Sequence, residues 1–497
     1  MSYLDNLKSA TDFKLTENGA VAKSSTGSYL YDLFSLGGAY RMREDGDVLT
    51  LFIHAFNENP TYALKCLFYL RDARGGQGER RFFRVVAKYL ADNQTEVMKR
   101  NLKYVPEFGR WDDLYTFVGT KLEGAALNLI KEQLALDMQC KTPSLLAKWL
   151  KSENASSVET ARLGNITRQS LGMTHKQYRK TLSILRDRIN VLERLMSANR
   201  WDEIEFDKIP SKAGLVYKNA FARRDIIKAK YEAFAKDENT KVNAGTLYPY
   251  EVVRKALDNF GWHGRWNSTD TDRAMINKYW ANLADYFDGA TLDAIAVVDT
   301  SGSMTCSYNG SNVRPIDVAI SLGLYCADKA QGPFHNHYIS FASHPQIIDT
   351  TAPDFCQAVY NIYRTNLVDN TDLEAVFDLL LNTAIHNHTP QSELPETLIV
   401  ISDMEIDEAR YGWGRALETP EATMETIKRR WAAAGYKCPS LIYWNINARN
   451  NTILDKSTDV TYVSGCSPVI FDQIMKGKSG IELMYDKLNS DRYKDIC

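Results

Sequence analysis

From Asp47 to about Asp137, apolar residues return every three or four positions, as Phe82, Val85, Val86 and Tyr89 do in QGERRFFRVVAKYL. Short polar or Pro/Gly breaks separate one such run from the next, and no strand pattern lies between them. Antiparallel helix pairs stacked side by side bury stripes of this kind, so an α-solenoid is expected, although no strict sequence period repeats. The stretch MTHKQYRKTLSILRDRINVLERLMSAN predicts one long amphipathic helix, N-capped by Thr174, with Leu182, Leu185, Ile189, Leu192 and Leu195 as its apolar stripe. Further helices are predicted in AGLVYKNAFARRDIIKAKYEAFAK, in YPYEVVRKAL and from Arg273 to Tyr286.

After Gly289 the pattern changes. Short apolar runs (DAIAVVD, HYISFA, PQIID, TLIVISD, SLIYWNI, VTYVSG) alternate with helical segments at Pro315 to Lys329, Pro353 to Tyr363, Leu373 to Ile385, Pro420 to Ala434 and Pro468 to Met475. Such alternation predicts a mostly parallel sheet with helices on both faces. The fold class expected is therefore α plus α/β, with a helical domain over 1–290 and a Rossmann-like domain over 291–497.

Charge sharpens that division. The chain has 497 residues and a net charge of −2, but residues 1–290 hold 44 Lys/Arg against 36 Asp/Glu, while 291–497 hold 16 against 26. Within the first part, residues 141–236 carry 20 basic and 10 acidic side chains, an excess that suits a polyanionic partner. The eight cysteines form no CxxC pair, so neither a zinc ribbon nor a disulfide framework is indicated. The N-terminus lacks a signal-peptide pattern and no apolar run approaches 18 residues; a cytoplasmic protein with no membrane partner is expected.

Candidate chemistry gathers where the predicted strands end. DAIAVVDTSGSM closes a buried strand with Asp299, Ser301 and Ser303 at every second position, so a turning chain can aim three oxygens into one space. A small hard dication, Mg²⁺ first and Mn²⁺ or Ca²⁺ as alternatives, takes such carboxylate and hydroxyl ligands. Thr371, ahead of a helix, and Asp403, at the end of TLIVISD, offer further oxygens. This ordered set resembles the metal-ion-dependent adhesion site of von Willebrand factor A domains, whose pattern is Asp-x-Ser-x-Ser, then Thr, then Asp. The resemblance makes Asp299, Ser301, Ser303 and Thr371 metal-facing, with Asp403 acting directly or through water. Glu405 and Asp407 are either additions to that site or solvated loop acids. The His335/His337 and His386/His388 pairs lack further ligands and read as structural. There is no GxxxxGK[ST], no HExxH and no GxSxG around Ser303.

The remainder of the chain carries a second resemblance. FYLRDARGGQGERRFFRVVAKYL, VPEFGRWDDLY, LLAKWLKSE, LGMTHKQYRKTLSILRDRINVLERLMSANRWDEIEFDKIPSKA and TLYPYEVV, followed by VVDTSGSM and ISDMEID, resemble the DUF2828 family, which is similar in turn to the TROVE-domain Ro ribonucleoproteins. That likeness implies a HEAT-like repeat ring or horseshoe followed by a von Willebrand factor A domain, with small noncoding or misfolded RNA as partner. It points to the helix start THKQYRK, hence His175, Lys176, Arg179 and Lys180, although Gln-Tyr-Arg replaces the usual Leu-Leu-Arg. Arg186 extends the basic face, and Arg74, Arg80 and Arg81 form a second basic group equally explicable as helix-end ion pairs. Tyr178, Trp201, Trp262 and Trp266 are candidate stacking aromatics, with core packing the blander role for the tryptophans. The function expected is RNA binding without catalysis, plus metal-dependent capture of a carboxylate, from a protein ligand for instance. The alternatives are a protein-interaction scaffold with no RNA and a metal-dependent nuclease.

Overall fold

A computed structural model describes residues 14–17, 21–261, 265–287, 293–306, 313–365, 371–406, 420–454, 460–474 and 479–497. The chain divides into two units, one of residues 1–66 with 247–494, the other of 67–246 with 495–497. The change of pattern near residue 290 is therefore not where the compact units part. Helix α1 (Tyr29–Leu36) explains why the N-terminal segment joins the sheet unit: Leu30 to Leu36 are all buried, and a helix buried on every face needs a large apolar surround.

In the helical unit, α2 (Arg80–Asn93) buries Phe82, Phe83, Val86, Ala87 and Leu90, the stripe its sequence predicts. Phe83 meets Phe68 at 5.5 Å between ring centres, and Phe108 packs on Phe68 at 5.4 Å. Helix α3 (Val158–Ser170) is tied down by Thr167, whose hydroxyl lies 2.9 Å from that of Tyr115. The long helix expected from Thr174 onward is two helices, α4 (His175–Arg188) and α5 (Leu192–Ser197), because Asn190 takes the left-handed conformation at φ 48°. Asparagine tolerates that region better than other non-glycine residues, which makes it a natural break. Thr174 caps α4 as expected, accepting from the Gln177 N–H at 3.3 Å, while Gln177 Oε1 accepts from the Thr174 N–H at 2.8 Å. Helices α6 (Ser211–Arg223) and α7 (Asp225–Lys236) follow, clasping a cluster of Phe206, Phe221 and Tyr231.

The sheet unit holds six strands: β1 (Ala294–Asp299), β2 (His337–Phe341), β3 (Ile347–Asp349), β4 (Thr397–Ser402), β5 (Ser440–Asn445) and β6 (Val460–Ser464), in spatial order β3-β2-β1-β4-β5-β6. All neighbours are parallel except the β2–β3 hairpin. Parallel strands need crossovers, supplied by α8 (Pro315–Lys329) between β1 and β2, α9 (Leu373–Asn387) before β4, and α10 (Pro420–Ala433) between β4 and β5. Strands β1 and β4 are wholly apolar along Ile295–Val298 and Leu398–Ile401, as strands covered on both faces must be. The direction of winding reverses between β1 and β4, so their carboxyl ends flank the crevice where sheets of this kind bind ligands. The register pairs Val298 with Ile401, which sets Asp299 beside Ser402 at that crevice. The other sequence-predicted strands and helices of this half agree with the observed elements to within about two residues at each end. Trp262, Asp407 and Met475 lie outside the described residues.

Candidate metal centre and nucleic-acid interface

Asp299 is fully buried where β1 ends, and its carboxylate orders the turn that follows. One oxygen accepts from the Ser301 N–H at 2.8 Å, and the other accepts from the Ser402 hydroxyl on the neighbouring strand at 2.5 Å. The turn brings the Ser301 and Ser303 hydroxyls to 3.0 Å from each other. Across the crevice, Met404 takes φ 66°, a left-handed kink that swings the chain after β4 back over the strand ends. Its N–H is held by Ser402 Oγ at 3.0 Å, and the Glu405 N–H by Asp403 Oδ1 at 3.2 Å. Thr371 enters ahead of α9, its hydroxyl reaching the Glu405 carbonyl at 3.4 Å.

The five residues expected at a metal site thus come from three loops onto one crevice. Burial pushes the Asp403 carboxyl up to about 7, the Asp299 carboxylate adds to the rise, and the Glu405 N–H and Ser303 hydroxyl only partly offset it. Asp403 Oδ2 is buried with no hydrogen-bond partner. A buried acceptor left in that condition beside a second carboxylate fits a small cation, which would satisfy both. Among the described residues no group of three or more His, Cys, Asp or Glu side chains is placed to hold a metal, so an ion here would rest on hydroxyls as much as on carboxylates. Glu405 does not widen the site: its two oxygens accept from the Glu17 N–H at 2.6 Å and from Asn450 Nδ2 at 3.1 Å. The His335 and His337 rings bond to backbone carbonyls at 2.8 Å, as structural histidines do.

The basic residues differ in what they meet. Lys176, Arg179 and Lys180 are exposed on the first turns of α4 and make no ion pair among the described residues. His175, beside them, points Nδ1 at Glu153 Oε1 over 2.9 Å. Arg186 is turned inward: it donates to the Ala147 and Leu150 carbonyls at 2.8 and 2.9 Å, closing the end of the short helix Leu146–Trp149. Arg74 donates to the Glu107 carbonyl at 3.0 Å. Arg80 and Arg81 open α2, and the Arg80 guanidinium is held below its usual range by partial burial and by Arg110 and Arg84 beside it.

The described aromatics named from sequence have packing roles, the one favoured above for the tryptophans. Tyr178 and Trp201 are buried, and the half-buried Trp266 has Phe260 at 5.1 Å between ring centres and the Arg273 guanidinium 5.3 Å over its ring. Trp149 and Tyr217, each half-buried, line a cleft of about 860 Å³ beside α4 and α6. Sequence reasoning passed over both, because helical period does not say which neighbouring helix leaves a ring uncovered.

Two stretches, 16–162 and 143–289, match the profile of a family described as a domain of unknown function, DUF2828. Together they span more than half of the chain. The protein belongs to the DUF2828 family. Residues 293–494 of this DUF2828 protein match a second domain of unknown function, DUF7788. It is 29% identical over 511 residues to uncharacterized protein L728 of Acanthamoeba polyphaga mimivirus, covering 94% of this chain and 85% of that one. Among solved structures it is similar to the Deinococcus radiodurans RO (RSR) protein at 12% identity and a TM-score of 0.40, covering 91% of this chain and 100% of that one. Among the described residues no helix is long and apolar enough to cross a membrane.

Proposed function

We propose that this DUF2828 protein binds RNA through its basic helical unit and captures an acidic ligand through a divalent ion at the strand ends of its sheet unit, acting by binding rather than catalysis. The observation that carries the RNA reading is the row Lys176, Arg179 and Lys180, exposed along one helix start with no acidic partner described. It stands in a stretch, 67–246, holding 33 basic against 22 acidic residues. Phosphates neutralised by such side chains release counterions, so affinity should fall as salt rises, with a logarithmic slope of about 0.7 for each single-strand phosphate contacted. The sequence likeness to Ro ribonucleoproteins supports the same partner.

At the crevice, Asp299, Ser301, Ser303, Thr371 and Asp403 would hold the ion, most simply Mg²⁺. An ion so held supplies a coordination position open to a carboxylate or phosphate oxygen. The chain's own contribution is the prior arrangement of the ligands: Ser402 and the Ser301 N–H fix the Asp299 carboxylate, and the Met404 kink sets Asp403 against it.

Two variants of the full chain test the two halves. Replacing Lys176, Arg179 and Lys180 together by alanine should lower affinity for a single-stranded RNA and flatten its salt slope by about two to three phosphate contacts. An unaltered slope would take RNA off this helix. Asp299→Ala should abolish the heat of Mg²⁺ or Mn²⁺ binding in calorimetry while RNA affinity and helical circular dichroism stay unchanged. An unchanged titration would remove the basis for the metal centre.

A further inference from the structure

The cleft beside α4 and α6 carries more than bulk charge. Its volume, about 860 Å³, lies in the range of small-ligand pockets. Leu182, Val191, Ala213 and Val216 are its apolar lining, and Trp149 and Tyr217 add rings to it. Arg110 stacks on Trp149 with its guanidinium carbon 3.9 Å from the ring centre, holding the indole in one orientation. The Tyr217 hydroxyl donates to Glu193 at 3.3 Å and is likewise oriented. Lys148, Arg179, Arg194 and Lys212 also line the cleft.

One acidic side chain in this basic surround is the informative one. Glu153 lines the cleft, yet its side chain is only 4% exposed. Its Oε1 is occupied by Arg168 Nε at 2.7 Å and His175 Nδ1 at 2.9 Å, whereas Oε2 is buried with no partner. The side chain is thus locked from behind, and its second oxygen lies buried and without a donor beside a ligand-sized cleft. A buried carboxylate oxygen without a donor is costly, and a ligand N–H would remove that cost.

We infer that the cleft receives one unpaired base of a single-stranded RNA, stacked against Trp149 or Tyr217, with its donor edge on Glu153 Oε2 and the flanking phosphates on Arg179, Arg194, Lys148 and Lys212. The inference rests on the RNA-binding reading above and adds a base preference to it. Guanine suits the site best, because its N1–H and exocyclic amino group are adjacent donors. Uracil suits it worst, because its lone N3–H stands between two carbonyl oxygens that a carboxylate repels. Duplex RNA is excluded, since its base faces and pairing edges are already occupied.

The test uses the full chain and fluorescein-labelled RNA heptamers read by fluorescence anisotropy: all-uridine, and the same sequence with one central guanosine. The guanosine heptamer should bind about tenfold more tightly, the scale of one hydrogen bond to a charged group. Glu153→Gln should bring the two heptamers to within about twofold of each other; a merely structural Glu153 would leave the preference intact. Val216 is 57% exposed, so Val216→Trp should fold normally, fill the cleft and weaken the guanosine heptamer about tenfold with the melting temperature unchanged. RNA that binds salt-dependently but without base preference, and indifferently to Val216→Trp, would overturn the cleft and leave the RNA reading standing. No binding of either heptamer would sink both.

Discussion

Asp113 in the helical unit and Asp403 in the sheet unit are both buried carboxylates, and their surroundings could hardly differ more. Asp113 is fully enclosed by donors: Arg71 reaches one oxygen through Nε and Nη2 at 2.9 and 2.6 Å, Arg84 reaches the other at 2.8 Å, and the Arg110 N–H adds a contact at 3.0 Å. Its neighbour Asp112 is raised by burial but lowered by more through Arg110, Arg84 and Lys151, and ends below the usual carboxylate range. Asp403 has hydroxyls, a backbone N–H and another carboxylate around it, keeps one oxygen without a partner, and is driven upward to about 7. A satisfied buried charge is a fastening within the fold. An unsatisfied one is a place where the fold has left something to be supplied, and function is found more often at the second kind.

The comparison predicts opposite signs for the same class of substitution, and the larger effect belongs to the helical unit. Asp113→Ala removes the anion from between two guanidinium groups, one of them buried, and leaves those cations facing each other. Loss of one partner of a buried pair costs about 3–5 kcal/mol, so the variant should unfold at markedly lower denaturant, followed by far-ultraviolet circular dichroism. A change under about 1 kcal/mol would mean that solvent screens Arg71 and Arg84 far better than their burial implies, and the contrast with Asp403 would lose its basis.

The same two sites show why one half of the molecule was more legible in sequence than the other. In the sheet unit each strand is a continuous apolar run closed by a polar residue, and the parallel order forces successive strand ends to one edge. Residues as distant as Ser301 and Asp403 were therefore placed together by topology alone, and the metal set was readable. Nothing comparable governs the helical unit. Glu153, Trp149, Arg186 and Tyr217 meet through the packing of short helices whose angles no spacing encodes. Arg186 looked like a surface cation because helical period sets a residue's face but not the carbonyls its long side chain finds. The break at Asn190 was hidden because Leu192 and Leu195 keep the apolar rhythm across it. That residues 1–66 cluster with the sheet unit was hidden for a related reason: helical periodicity can say that α1 is a helix, while its burial on every side depends on what it packs against. In that case the signal was present, since YLYDLFSLGGAY offers almost no polar face.

The smaller effect belongs to the sheet unit, and it should change sign with metal. Asp403→Asn keeps the side chain's shape and removes a carboxyl whose ionised form burial and Asp299 both disfavour, so in the presence of a chelator the variant should be more stable than the parent at neutral pH, by a margin that grows as pH rises from about 4 to about 7. Adding Mg²⁺ should reverse the order, because ligand binding stabilises only the protein that retains the site, and the parent's melting temperature should rise with ion concentration while the variant's stays still. Thermal unfolding of both proteins, with and without chelator, reads the two signs in one series. A variant already less stable in chelator would show that Asp403 is compensated within the fold, as Asp113 is, and the distinction between a fastening and a ligand set would then have to be drawn elsewhere. The reversal matters more than either magnitude, since a purely structural carboxylate has no reason to exchange a gain for a loss when a dication is added.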